Sequence, residues 1–219
     1  MPTHDLQPDR QPFARASDRH RSRGQPGEVA ERRKCKPGGA GDGHPVDRRR
    51  PFEAEAFRAY GEVIDRRSAR PSHAINGGTA QRFDDLARVD ASMRGGHAAI
   101  SLVRARPRSL PFRIECMERH LRGSQAFVPL DAQRWIVVVA PRGRAPRHEQ
   151  LRAFVASGMQ GINYARGTWH HPLIALDREA EFLVVDRVAE DGREDCEMCE
   201  LGEEALWVRT ELLDIRATR

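Results

Sequence analysis

Glu118-Arg119-His120, Gln125 and Gly167-Thr168-Trp169-His170-His171-Pro172 are the residues of this 219-residue chain whose types and spacing suit chemistry. On a β-strand Glu118 and His120 project to one face and Arg119 to the other, because side chains alternate. Gln125 follows on the return segment after Gly123, and His170 arrives from a distant strand, so a carboxylate, two imidazoles and an amide can converge inside an apolar barrel. Such a set can move protons near neutral pH. It can equally hold a metal, since imidazole nitrogens with carboxylate and amide oxygens suit Ni, Mn, Fe or Zn without selecting among them. Each residue taken singly also reads as an ordinary strand polar satisfied by backbone; the spacing of the whole set is what points to a site.

The elements that must carry these residues are short. Phe52 to Tyr60 has apolar groups at helical spacing and Gly61 closes the turn, which predicts a helix. From Val63 to about Arg187 the pattern is short β-runs between turn residues: Ala98–Val103, Phe112–Met117, Ala126–Val128, Trp135–Ala140, Ile174–Leu176 and Phe182–Val185. The run Trp135-Ile-Val-Val-Val-Ala140 is apolar throughout, as in a strand covered on both faces. Residues 149–156 are the other helix candidate, with Leu151, Phe154 and Val155 as a core stripe. Many strands, few helices and no βαβ alternation predict an all-β fold: a cupin-like antiparallel double-sheet barrel of the jelly-roll type with a few short helices. Residues 51–189 form that domain, and residues 190–219 read as a C-terminal acidic and helical tail.

Charge divides the chain. Residues 1–50 hold 12 Arg or Lys against 7 Asp or Glu, while residues 51–219 hold 25 of each, so the net charge of +5 belongs to the first fifty. With Phe13 as its one aromatic and few large aliphatics, that stretch cannot bury enough apolar surface to offset ordering its backbone, and it reads as a disordered basic extension. It is expected to be a non-functional extension, or the product of a start codon assigned too far upstream, and no nucleic-acid partner is expected. No apolar leader follows the N-terminal charges and no segment is long enough to span a bilayer, which predicts a cytoplasmic protein with no membrane partner. Four cysteines, at 35, 116, 196 and 199, are too scattered for a disulfide framework, and Cys196-x-x-Cys199 is expected to be an incidental pair of reduced thiols.

Two resemblances follow from these residues. Glu118-x-His120, Gln125 and Gly167-x-x-His170 are similar to the metal-binding pattern of cupins, with Glu in place of the first His and Gln in place of the Glu. More specifically, Glu118-Arg119-His120-x-x-Gly123-Ser124-Gln125-Ala126-Phe127-Val128-Pro129 and Gly161-Ile162-Asn163-Tyr164-Ala165-Arg166-Gly167-Thr168-Trp169-His170-His171-Pro172-Leu173 closely resemble the ureidoglycolate lyase family. So do Phe57-x-x-Tyr60-Gly61-Glu62-Val63-Ile64, Ile75-Asn76-x-Gly78, Arg82-Phe83-x-Asp85-Leu86-Ala87, Ser101-x-x-Arg104-Ala105 and Phe182-Leu183-Val184-Val185-Asp186-Arg187. The resemblance covers residues 52–188; residues 1–50 and the tail after about residue 190 have no counterpart in it. It departs from the family at Asp84, where His is common, and at Leu121-Arg122.

The resemblance implies a homodimeric carbon–nitrogen lyase of the amidine-lyase type that splits ureidoglycolate into glyoxylate and urea in allantoin and purine catabolism, with divalent nickel stimulating some members. For that substrate Glu118, His120 and His170 are the catalytic candidates. Arg82 and Arg104 would clamp the carboxylate in bidentate fashion, and Asn76, Gln125 and Asn163 would satisfy the ureido group. Glu118, His120, Gln125 and His170 are the candidate metal ligands. Two other readings stay open at this level: another metal-dependent cupin enzyme acting on a small oxo-acid, and a non-catalytic cupin that binds a small molecule.

Overall fold

The computed structural model describes residues 32–34 (backbone), 52–67, 72–189, 195–202 and 206–209. In chain order the elements are β1 (Arg32–Lys34), α1 (Ala54–Phe57), β2 (Gly61–Ile64), β3 (His73–Ile75), β4 (Ala80–Arg82), β5 (His97–Ala105), β6 (Phe112–Ile114) and β7 (Cys116–His120). They continue as β8 (Gln125–Pro129), β9 (Trp135–Ala140), β10 (Arg152–Ala156), β11 (Gly161–Tyr164), β12 (Trp169–His170), β13 (Ile174–Ala175), β14 (Ala180–Val188), β15 (Cys196–Glu200) and β16 (Leu206–Val208). One sheet runs β1-β15-β7-β12-β9-β10, with β13 also on β9; the second runs β2-β11-β8-β14-β5. Among the described strands every pairing is antiparallel except β1 with β15. This is the expected all-β, double-sheet architecture.

Strand β9 shows why the composition folds this way. All six of its residues are buried. Trp135, Val137 and Val139 join the core between the two sheets, with Phe127, Phe154, Ile162, Phe182 and Val184. Ile136, Val138 and Ala140 join a second core on the other face of the first sheet, with Ile114, Met117, Leu151, Trp169 and Val208. A strand with hydrocarbon on both faces has no position for a polar residue, so its sequence does not alternate. Helix α1 supplies Phe57, whose ring meets Phe52, Tyr60, Phe154 and Tyr164 edge-on or tilted at 5.2–6.2 Å and closes the inner core with aromatics.

The two-core arrangement also corrects one expectation. Residues 149–156 are not a helix: a 3-10 turn at His148–Gln150 leads into β10, which pairs with β9 over all five residues. A helix would have put Leu151, Phe154 and Val155 on one stripe. The strand sends Leu151 and Ala153 to the second core and Phe154 and Ala156 to the first, satisfying both. The described part of 190–219 likewise forms strands, β15 on β7 and β16 on β6, where a helix was expected. Tertiary pairing overrides the weak amphipathic signal there. Apart from the three residues of β1, the expectation for residues 1–50 lies outside the described residues, as do 190–194, 203–205 and 210–219.

Close approach of β2 to β11 depends on Gly61, which pairs with Tyr164. A Cβ at Gly61 would lie 2.0 Å from the Asn163 carbonyl oxygen, a backbone atom held in the sheet on both sides. Gly61→Ala is therefore expected to cost about 2 kcal/mol. A thermal melt should show this as a loss of roughly 4–8 °C, and a melt like that of the parent would mean that β2 is not held in this register.

Candidate active site

Strand register builds the polar end of the barrel interior. Glu118 on β7 stands directly opposite His170 on β12, and His170 opposite Val139 on β9, so all three side chains share the inner face. His120 lies two residues along β7 on the same face. One candidate ligand atom each from Glu118, His120 and His170 falls within 4.8 Å of the others. The His170 Nε2 is 3.5 Å from Glu118 Oε1, and the two imidazole centroids are 5.4 Å apart. From the second sheet, Tyr164 lays its ring parallel on His170 at 4.1 Å, and Gln125, its cross-strand partner, shares that face. Arg119 points outward as expected, over the Trp169 ring at 4.3 Å and paired with Glu197 at 2.7 Å.

Hydrogen bonds behind the rings fix which nitrogen faces the cluster. His170 Nδ1 lies 3.0 Å from the Thr168 carbonyl oxygen, which can only accept, so Nδ1 carries a proton. His120 Nδ1 lies 3.3 Å from Asp195 Oδ1, also an acceptor, and Asp195 Oδ2 accepts the Arg122 N–H at 2.7 Å. In the neutral rings Nε2 is therefore the nitrogen left with a lone pair, and that of His170 lies beside Glu118. Burial pulls the His170 imidazole below its ordinary pKa, aided by His120 and against the attraction of Glu118. Burial opposes the charge on His120 too, but Asp195, Glu118 and Asp186 together push that imidazole above its ordinary value. Glu118 is desolvated, yet His170, His120 and His171 hold its carboxyl below the usual carboxylate range. Burial, then the charge of Glu118, pushes the Tyr164 phenol far up, so it stays a neutral donor.

These residues fit a cation. His120 Nε2, His170 Nε2 and Gln125 Oε1 are buried without a hydrogen-bond partner, and the 3.5 Å Glu118–His170 separation is too long for a hydrogen bond of its own. Two imidazoles, a carboxylate and an amide oxygen form a mixed N/O donor set that suits a transition metal. The carbonyl and carboxylate behind the two imidazoles are the outer partners that metal-bound histidines use.

Other predicted residues go elsewhere. Asn163 faces the outside of its sheet, opposite in sense to Tyr164, where Nδ2 donates to Glu62 Oε2 and to the Arg88 carbonyl, each at 2.9 Å. It anchors the segment crossing that face. Asn76 and Arg82 belong to the β3–β4 hairpin, and Arg82 pairs with Asp84 at 2.6 Å, 64% exposed. Arg104 is 66% exposed and bonds Glu181 at 2.7 Å. None of these four is brought to the cluster. Asp84, which departs from the family pattern, sits between His73 and Arg82.

Three contributors escaped the sequence reading. Tyr164 lies inside the motif from Gly161 to Leu173 but is not among the candidate site residues. Asp186 shares the inner face with Phe182 and Val184 by simple alternation along β14, a legible signal. Asp195 was hidden in an acidic run. The Cys196-x-x-Cys199 pair cannot converge, because residues three apart on a strand face opposite sides: Cys196 Sγ lies 3.9 Å from Glu118 Oε2, while Cys199 is in the second core. Cys199 is disulfide-bonded, which corrects the expectation of two reduced thiols.

Residues 47–209 match the family model described as ureidoglycolate lyase. That span extends the resemblance beyond residue 188 to include β15 and β16. Over 146 residues the chain is 50% identical to a ureidoglycolate lyase of Burkholderia cepacia, covering 66% of this chain and 81% of that one. It is 47% identical over 137 residues to a ureidoglycolate lyase of Azotobacter vinelandii, covering 63% and 82%. To ureidoglycolate lyase 1 of Rhizobium meliloti it is 45% identical over 137 residues, covering 63% and 79%.

Calorimetric titration of chelator-treated protein with Ni²⁺ should give one site per chain. His170→Ala should weaken it by at least about tenfold, while Arg104→Ala should leave it unchanged. Equal affinity in parent and His170→Ala would remove the cluster as the metal site.

Proposed function

This chain belongs to the ureidoglycolate lyase family, and from that premise we propose that it is a carbon–nitrogen lyase of the amidine-lyase type that cleaves ureidoglycolate to glyoxylate and urea. The observation that carries the reading is the convergence of Glu118, His120 and His170 within 4.8 Å on the inner face, inside the span that matches the family.

Ureidoglycolate carries a hydroxyl and a urea nitrogen on one carbon beside a carboxylate. Its collapse needs a base for the hydroxyl proton and an acid for the departing nitrogen. His170, held neutral by burial, is suited to take the hydroxyl proton at Nε2, and the Glu118 carboxylate 3.5 Å away stabilises the imidazolium that results. The C–O bond becomes the aldehyde carbonyl of glyoxylate as the C–N bond breaks. His120, held protonated by Asp195, Glu118 and Asp186, delivers a proton from Nε2 to the urea nitrogen. Every atom of the substrate leaves in the two products, with no water consumed. Gln125 Oε1, buried without a partner, can accept a ureido N–H. A divalent ion held by Glu118, His120, His170 and Gln125 would supply Lewis acidity that polarises the substrate's oxygens.

The same reading sets the reaction in allantoin and purine breakdown in the cytoplasm. No helix among the described residues is long and apolar enough to cross a membrane. We also read the protein as a homodimer. On the outer face of the second sheet Ile100 and Leu102, 73% and 69% exposed, continue across the half-buried Val185 and Leu183 to Val128, an apolar patch of the kind that marks interfaces.

Purified protein given ureidoglycolate should release glyoxylate and urea in equal amounts, and His170→Ala and His120→Ala should each lower kcat/KM by about 10²-fold or more. The pH profile of kcat/KM should be a bell. Its acid limb comes from His170, which must be neutral and is lost as pH falls through its lowered pKa. Its basic limb comes from His120, which must be charged and is lost as pH rises through its raised pKa. Chelation that leaves turnover intact assigns the imidazoles to proton transfer, and chelation that abolishes it assigns them to ligation. No turnover in the parent protein, with Ni²⁺, Mn²⁺, Zn²⁺ or Fe²⁺ or without metal, sinks the reading. For the dimer, Leu102→Asp should yield monomers by light scattering after size exclusion; dimers unchanged in mass would move the interface elsewhere.

A further inference from the structure

We propose that Asp195 is a positioning residue that keeps one proton of His120 on Nδ1, so that Nε2 is the nitrogen that exchanges its proton with the cluster and carries the lone pair when the ring is neutral. This rests on the lyase reading for its catalytic consequence, but the geometry stands by itself. Asp195 immediately precedes β15, and its side chain is 7% exposed. One oxygen, Oδ2, is committed to the Arg122 N–H at 2.7 Å. Arg122 lies two residues past His120, so the bond locks the carboxylate to the end of the strand that carries the imidazole. The other oxygen, Oδ1, then faces His120 Nδ1 at 3.3 Å. A carboxylate only accepts, so Nδ1 must donate. The second nitrogen, Nε2, is left buried with no partner of its own. His170 reaches the same state by another route, through the Thr168 carbonyl at 3.0 Å. With both rings neutral, the lone pairs are thus left on Nε2 by two unrelated acceptors, one in the backbone and one in a side chain. Only the second can be altered by substitution.

The fixed Arg122 N–H gives the proposal a sharp test. In Asp195→Asn the amide oxygen is the group able to accept from Arg122, which turns the amide NH2 toward His120 Nδ1. A donor there makes Nδ1 the acceptor and moves the proton to Nε2. The tautomer inverts while both hydrogen bonds survive. In Asp195→Ala the ring is merely unconstrained. Asn should therefore damage function more than Ala, the reverse of the order a structural role would give. Loss of the correct histidine tautomer in a catalytic triad costs up to about 10⁴-fold, and loss of an outer partner of a metal ligand about 10–100-fold.

The experiment records long-range ¹H–¹⁵N correlations of the histidine rings in metal-free full-length protein, with Ni²⁺ affinity and kcat/KM on ureidoglycolate for the parent, Asp195→Asn and Asp195→Ala. At a pH high enough to leave His120 neutral, the proposal expects an Nδ1–H ring in the parent and an Nε2–H ring in Asp195→Asn. It also expects Ni²⁺ affinity and kcat/KM reduced at least tenfold in Asn and less in Ala, with melting temperature of Asp195→Asn close to the parent's. An unchanged His120 tautomer in Asp195→Asn, or Ala more damaging than Asn, overturns it. If the parent shows no lyase turnover, the functional reading fails while the tautomer and Ni²⁺ arms still decide the proposal.

Discussion

Three groups, the Glu118 carboxylate and the imidazoles of His120 and His170, each bring one candidate ligand atom within 4.8 Å of the others behind a wall of hydrocarbon. In water such a set would be dispersed by solvent. Here it is fixed by strand register, and each buried acceptor without a donor carries a desolvation penalty. A shared proton or a metal ion is the positive partner that such a donor set is shaped to receive. The opposed pKa shifts of the two imidazoles follow from this geometry: the ring backed by a carboxylate gains affinity for a proton, and the ring backed by a carbonyl and stacked under Tyr164 loses it.

Holding that strained electrostatic arrangement falls to the two cores. The inner core occupies the barrel up to the polar end, and the second core covers the outer face of the same sheet, so β7, β9 and β12 are supported from both sides. Arg119, stacked on Trp169 and paired with Glu197, ties β7 to β12 and β15 on the face away from the site. Across the barrel, the segment around Arg88 and Asp90 is stitched to β2, β8 and β11 through Glu62, Ser124 and Asn163. Asn163 thus serves the site by steadying the sheet that carries Gln125 and Tyr164. That use of a buried amide, as an anchor for an irregular segment, explains why a residue type suited to a ureido group is found facing outward.

Much of this was legible in the residues. The alternation in Glu118-Arg119-His120 correctly puts the two functional groups on one face, because period two is imposed by the extended backbone. The uninterrupted apolar run at Trp135–Ala140 correctly announces a doubly covered strand. The stripe of Leu151, Phe154 and Val155 misled, because a period near three or four also results when a strand feeds two cores at once. Arg82 and Arg104 had the right chemistry for a carboxylate, but chemistry alone does not reveal exposure, and each is paired with a surface acid. Asp195 was illegible for a different reason. It becomes special only when β15 pairs with β7 and brings it beside His120 and the Arg122 amide, 73 positions away in sequence from the latter.

By itself, then, the sequence determined the fold class, the inward direction of Glu118 and His120, and the family, because these depend on local periodicity and on the order of residues along the chain. Only the tertiary structure decided that His170 and Glu118 stand opposite each other, that Asn163 faces away, and that Asp195 and Thr168 lie behind the two imidazoles. Those facts depend on the register between strands distant in sequence, and a shift of one residue would turn each of these side chains to the other face of its sheet.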